Sequence, residues 1–96
     1  MIVMRWIFQI KPGKYDEALE WAKDGRKNIW NFYTSRIYTS EIGPWGNLII
    51  ENEFKDMAER ETLVTRVVEH EKWSSWIAGW NELITGTGKN EVWNVE

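Results

Sequence analysis

His70 is the only histidine in this 96-residue chain, and so the only side chain whose ordinary pKa lies near neutrality. An imidazole can act as a general base or as an axial ligand to heme. It sits between Glu69 and Glu71, where a solvated histidine paired with a carboxylate is the competing reading. Arg5 and Arg36 each lie within a run of β-forming residues, and Glu51 and Glu53 alternate along a third. Two such cations could hold an anionic substrate or an enolate. A buried charge needs a partner, however, and two acids match two bases; the four would then tie strands or subunits together. Glu51 and Glu53 share a strand face about 7 Å apart, by the rise per residue. Paired carboxylates suit acid–base work or a hard cation. No further oxygen or imidazole ligand is spaced to converge on them, so no metal is expected. Tyr38 falls on the Arg36 side of its strand, where a phenol could serve as an acid or bind a substrate oxygen.

Trp73, Trp76 and Trp80 recur at i, i+3 and i+7, one stripe along a helix. Such a stripe is usually core. Three indoles on one face also leave gaps that are hard to fill, and a gap there would take an apolar, aromatic ligand, with Asn81 supplying a polar contact and Arg5, Glu51 and Glu53 as further candidates to line the pocket. Trp45, between Pro44 and Gly46, belongs to a turn and would serve as a subunit contact or a lid.

Several chemistries are excluded outright. Without cysteine there is no thiolate, disulfide or Cys-based metal site. No P-loop, dinucleotide fingerprint, nucleophile elbow or zinc spacing occurs. Twelve basic residues are outnumbered by fifteen acidic ones and form no stripe, so nucleic acid is not an expected partner. No apolar run approaches the ~20 residues of a membrane span, and no signal peptide is recognisable at the start. A cytoplasmic location is the expectation.

The elements that must position these groups follow from periodicity. Ile2, Met4, Trp6, Phe8 and Ile10 share one strand face; Val3, Arg5, Ile7 and Gln9 share the other. Lys11-Pro12-Gly13 breaks the strand, and residues 15–30 read as an amphipathic helix with acids early and bases late. Residues 34–42 and 47–54 read as an antiparallel hairpin around Gly43-Pro44-Trp45-Gly46. Asp56 caps a second helix that runs to Gly86, with a bend or break at Glu69-His70-Glu71-Lys72. Residues 90–95 form a last strand. The order β-α-β-β-α-β predicts one ferredoxin-like α+β domain over residues 1–96, a four-stranded antiparallel sheet with its helices on one face. Eight tryptophans are more than a lone small core easily encloses. The first strand is also apolar on one face and half apolar on the other. A homodimer closing a two-sheet α/β barrel follows as an expectation.

The opening strand with Lys11-Pro12-Gly13-Lys14-Tyr15, the hairpin Ser40 to Gly46, the strand end Glu51-Asn52-Glu53-Phe54 and the tail Thr85 to Trp93 carry a resemblance. In these the chain resembles the dimeric α/β-barrel superfamily, within it the NIPSNAP-like and antibiotic-biosynthesis-monooxygenase-like small proteins. The resemblance implies the dimer more firmly than any chemistry, because relatives include heme-degrading and quinone-forming monooxygenases and lactone isomerases. The leading expectation is a dimeric barrel binding a small apolar or aromatic molecule in a Trp-lined cleft. The alternative is a small monooxygenase, cofactor-independent or heme-using. The heme-degrading branch uses an Asn on strand one and a Trp and a His on the second helix. Here Arg5, Trp6 and Ile7 occupy the middle of that strand, and His70 precedes Trp73, the reverse order.

Overall fold

The strict alternation at the start of the chain produces a nine-residue strand, β1 (Ile2–Ile10). The computed structural model, which describes residues 1–96, continues with α1 (Tyr15–Asn28), β2 (Ser35–Thr39) and β3 (Asn47–Phe54). It ends with α2 (Met57–Val68), α3 (Trp73–Leu83) and β4 (Ile84–Asn94). The strands form one antiparallel sheet in the order β2-β3-β1-β4. The ferredoxin-like α+β fold expected from the element order is therefore present, with the second helix divided into two.

The break falls in the polar stretch. The His70 backbone N–H bonds the Val67 carbonyl, and the Trp73 N–H bonds the His70 carbonyl, a turn between α2 and α3. At the other end of α2, Asp56 is the N-cap and accepts from the Glu59 N–H at 2.9 Å. β4 also differs from expectation. It starts at Ile84 with no loop after α3, so Gly86 and Gly88 lie within a strand and do not terminate a helix. Both have positive φ, and the β1–β4 register slips between Ile7 and Gln9. The glycines make a bulge that lets the strand follow straight on from a helix. β2 is shorter than its sequence run, covering only Ser35–Thr39.

Helices cover one face of the sheet. Phe8, Ile10, Leu48 and Ile50 pack against Ala18, Ala22, Val67, Trp76, Trp80 and Leu83 in the main core. Small residues let α1 and α3 approach closely. A Cβ on Gly79 would fall 2.2 Å from the Trp21 ring, and one on Gly25 would fall 2.6 Å from Trp76 Nε1. Each helix thus receives the other's indole over a glycine. The indoles are locked reciprocally: Trp21 Nε1 donates to the Trp76 carbonyl and Trp76 Nε1 to the Trp21 carbonyl, both at 2.9 Å. These bonds fix where α3 stands, and with it the tryptophan stripe.

Candidate functional site

The stripe lies where the sequence places it, and its face meets open space. α3 carries Trp73, Trp76 and Trp80 in a stack, with centroids 5.6 and 5.3 Å apart and near-parallel rings. Trp80 meets Phe8 of β1 edge-on at 5.0 Å, and Trp76 meets Trp30 the same way. Flat, bulky rings stand between α3 and the strands, and α2 joins α3 through the turn at 69–72. A cavity of about 280 Å³ results. Its floor is the helix-facing side of the sheet: Met4, Trp6 and Phe8 of β1, Ile50 and Asn52 of β3, and Ile84 and Thr87 of β4. Its roof is Val64, Val67 and Val68 of α2 with Trp73, Trp76, Ile77, Trp80 and Asn81 of α3. Trp30 and Tyr33, on the segment entering β2, close one side. Val68 and Asn81 are solvent-exposed and mark the mouth.

Almost every lining group is apolar, and none carries a carboxylate, an amine, a guanidinium or an imidazole. Burial pushes the Tyr33 phenol upward, so it stays protonated. The buried exception on the floor is Asn52; Thr87, the other polar group there, is exposed. Asn52 is only 4% exposed, and its Oδ1 has no hydrogen-bond partner. The Trp80 indole N–H, on a residue 1% exposed, is also unpartnered. Orphaned buried polar atoms are uncommon, because each forgoes its bonds to water.

The structure divides the residues singled out from the sequence. Trp73, Trp76, Trp80 and Asn81 line the cavity. Arg5, Glu51 and Glu53, the other candidates for that pocket, do not. The two-residue period places them on the opposite, uncovered sheet face, where Arg5 pairs across strands with Glu51 and Glu51 with Arg36. There Arg5 Nη2 lies 3.5 Å from Glu51 Oε1, Tyr38 donates to Glu51, and Arg36 pairs with Glu53. The Glu51 bond holds the Tyr38 phenol above its ordinary pKa, and the Glu53 bond does the same for the Arg36 guanidinium. Further out, the bonds from Lys89 and Trp93 hold Glu91 below the usual carboxylate range. His70 belongs to neither group. It stays in the α2–α3 turn, and its Nδ1 accepts the Lys72 backbone N–H at 3.0 Å. No cluster of three His, Asp or Glu side chains converges anywhere in the chain.

The cavity residue that periodicity could have found is Asn52. It interrupts the apolar series Leu48, Ile50, Phe54 on one face of β3, an amide where the pattern calls for a hydrocarbon. Tyr33 and Trp30 give no such signal, because the irregular path between α1 and β2 brings them in.

The architecture recurs in solved structures. One is an uncharacterized NIPSNAP domain protein from Burkholderia xenovorans, 17% identical with a TM-score of 0.85, covering 100% of this chain and 95% of that one. A NIPSNAP family protein from Agrobacterium tumefaciens is 20% identical with a TM-score of 0.83, covering 99% and 85%. A structure described as an antibiotic biosynthesis monooxygenase is 15% identical with a TM-score of 0.74, covering 100% and 99%. At these identities the likeness establishes the fold. No curated protein matches the sequence. The NIPSNAP family profile, by contrast, matches residues 5–92, nearly the whole chain. The chain belongs to the NIPSNAP family.

Proposed function

We propose that this protein binds a small apolar or aromatic molecule in the cavity between its helices and its sheet, and that it does so as a homodimer. The observation that carries the first part is the cavity itself: about 280 Å³, walled by aromatic and aliphatic side chains in a protein of 96 residues. Interiors normally pack without voids of this size. An occupant would restore the dispersion contacts that the facing indoles lack.

Binding is favoured over oxygenation by what the wall omits. A cofactor-independent oxygenase must take a proton from its substrate, and no lining group is a base at neutral pH. Heme does not fit either. The cavity wall offers no imidazole, His70 is tied into the turn outside it, and no cation lines it for the propionates.

The dimer is supported by the other side of the sheet. No helix packs on this face: Ile7 and Ile49 are half-buried on it, and Glu51 is shielded by Arg5 and Tyr38 of the neighbouring strands. Three cations, Arg5, Arg36 and Lys89, face the same way as three carboxylates, Glu51, Glu53 and Glu91. A face balanced in this way can meet its own two-fold copy. The hairpin loop adds Ile42, 92% exposed, and Trp45, 79% exposed, apolar groups suited to a subunit contact. No helix of the chain is long and apolar enough to cross a membrane.

Indane, a neutral two-ring hydrocarbon, tests the binding proposal. Titrated into the protein, it should quench tryptophan fluorescence saturably with one site per chain, because five of the eight tryptophans line the cavity. A linear, unsaturable response would overturn the proposal.

A further inference from the structure

The only fully buried polar side chain on the cavity floor is Asn52, and nothing in the fold uses it. Its strand neighbours on that face, Ile50 and Phe54, are hydrocarbon. Its cross-strand partner on β1 is Met4, and on β2 it is Ser35. The Ser35 hydroxyl is already engaged by Trp30 Nε1 at 3.1 Å. A leucine would fill much the same volume without loss. A carboxamide offers one acceptor and two donors in a plane, and burying it without partners disfavours the fold.

We propose that Asn52 reads the ligand: the cavity takes a neutral, flat molecule of about two fused rings that carries a hydrogen-bond donor beside an acceptor, the pattern of a cyclic amide. This rests on the binding reading above and adds the chemistry of the occupant. Four observations set the terms. The carboxamide can exchange two antiparallel hydrogen bonds with a lactam edge, Oδ1 accepting from the ring N–H while Nδ2 donates to the ring carbonyl. The wall contains no charged side chain to balance a charged ligand, and an unpaired buried charge is strongly disfavoured. The volume is nearly twice the roughly 150 Å³ that accepts a benzene ring, which suits two fused rings. The stacked faces of Trp73, Trp76 and Trp80 favour a flat aromatic body.

The test compares three probes of one ring framework on the full chain: oxindole, a lactam; indane, its hydrocarbon counterpart; and indole-2-carboxylate, an anion. Affinity is read from fluorescence titration. Oxindole should bind about tenfold more tightly than indane, the worth of a satisfied buried hydrogen bond. The carboxylate should be rejected. Asn52→Leu should abolish the oxindole preference, keep or improve indane binding, and raise the melting temperature of the ligand-free protein by removing an orphaned amide. Equal affinity for oxindole and indane in the unsubstituted protein would sink this inference and leave the binding proposal standing. If no probe binds at all, the binding proposal itself fails. A lowered melting temperature for Asn52→Leu would show that the amide serves the fold, and would also overturn the inference.

Discussion

Trp80→Ala should lower the stability of the folded chain by about 3–5 kcal/mol, the largest effect expected of any single truncation in this protein. Trp80 is the largest side chain fully buried in the core. It bridges α3 to the sheet by stacking on Trp76 and meeting Phe8 edge-on. Its indole N–H bonds to nothing, so truncation removes packing alone. The new void opens beside an existing cavity, which limits how far the surroundings can collapse onto it. A domain of this size is stable by only about 5–10 kcal/mol, so the loss is a large share of the total. Urea denaturation followed by circular dichroism should show a lower midpoint with a similar slope. A loss below about 1 kcal/mol would mean that α3 does not rest on the sheet as described.

The second large effect concerns assembly. Ile7→Asp should convert a dimer into a folded monomer, weakening self-association about a thousandfold or more. Ile7 sits near the middle of the uncovered face, paired with Ile49 on one side and Lys89 on the other. In a two-fold interface every substitution appears twice. Two carboxylates desolvated there, each with its nearest cation, Lys89, already paired with Glu91 at 3.1 Å, cost ~2–3 kcal/mol apiece, roughly three to four powers of ten in the dissociation constant. Sedimentation at micromolar concentration should report twice the 11.5 kDa chain mass for the unsubstituted protein and the chain mass for the variant. Because the cavity opens on the other side of the sheet, the variant should still bind indane. An unsubstituted protein that already sediments as a monomer would contradict the homodimer.

The same two faces show what the sequence could reveal. The alternation of β1 separates Met4, Trp6 and Phe8 from Val3, Arg5 and Ile7, and the structure keeps that division. Period two alone therefore argued against placing Arg5 with the tryptophans. Glu51 and Glu53 alternate with Ile50 and Asn52 for the same reason. The helical stripe Trp73, Trp76, Trp80 was equally legible, because the spacing fixes a helix face whatever lies opposite it. Asp56 announced the start of α2 through its cap.

Other features depended on tertiary geometry. Glycines at 86 and 88 are ordinary helix-stop signals, yet here they bend a strand, because α3 passes directly into β4 and the chain must recover its register against β1. The break around His70 was visible as polarity. The cavity that the two helices roof on either side of it was not. Trp30 and Tyr33 reach the cavity along an irregular segment that no period describes. Asn52 is legible in the alternation of β3, as the one polar residue in a series of apolar ones.

The proposal that the space beneath α2 and α3 holds a ligand is tested most directly by the indole N–H signals of the eight tryptophans in a nitrogen–proton correlation spectrum, recorded with and without indane. Five of them, Trp6, Trp30, Trp73, Trp76 and Trp80, line the cavity, while Trp21, Trp45 and Trp93 lie outside it. The account predicts saturable shifts in the first group and little change in the second. Shifts confined to Trp45 and Trp93, with the five unmoved, would contradict it.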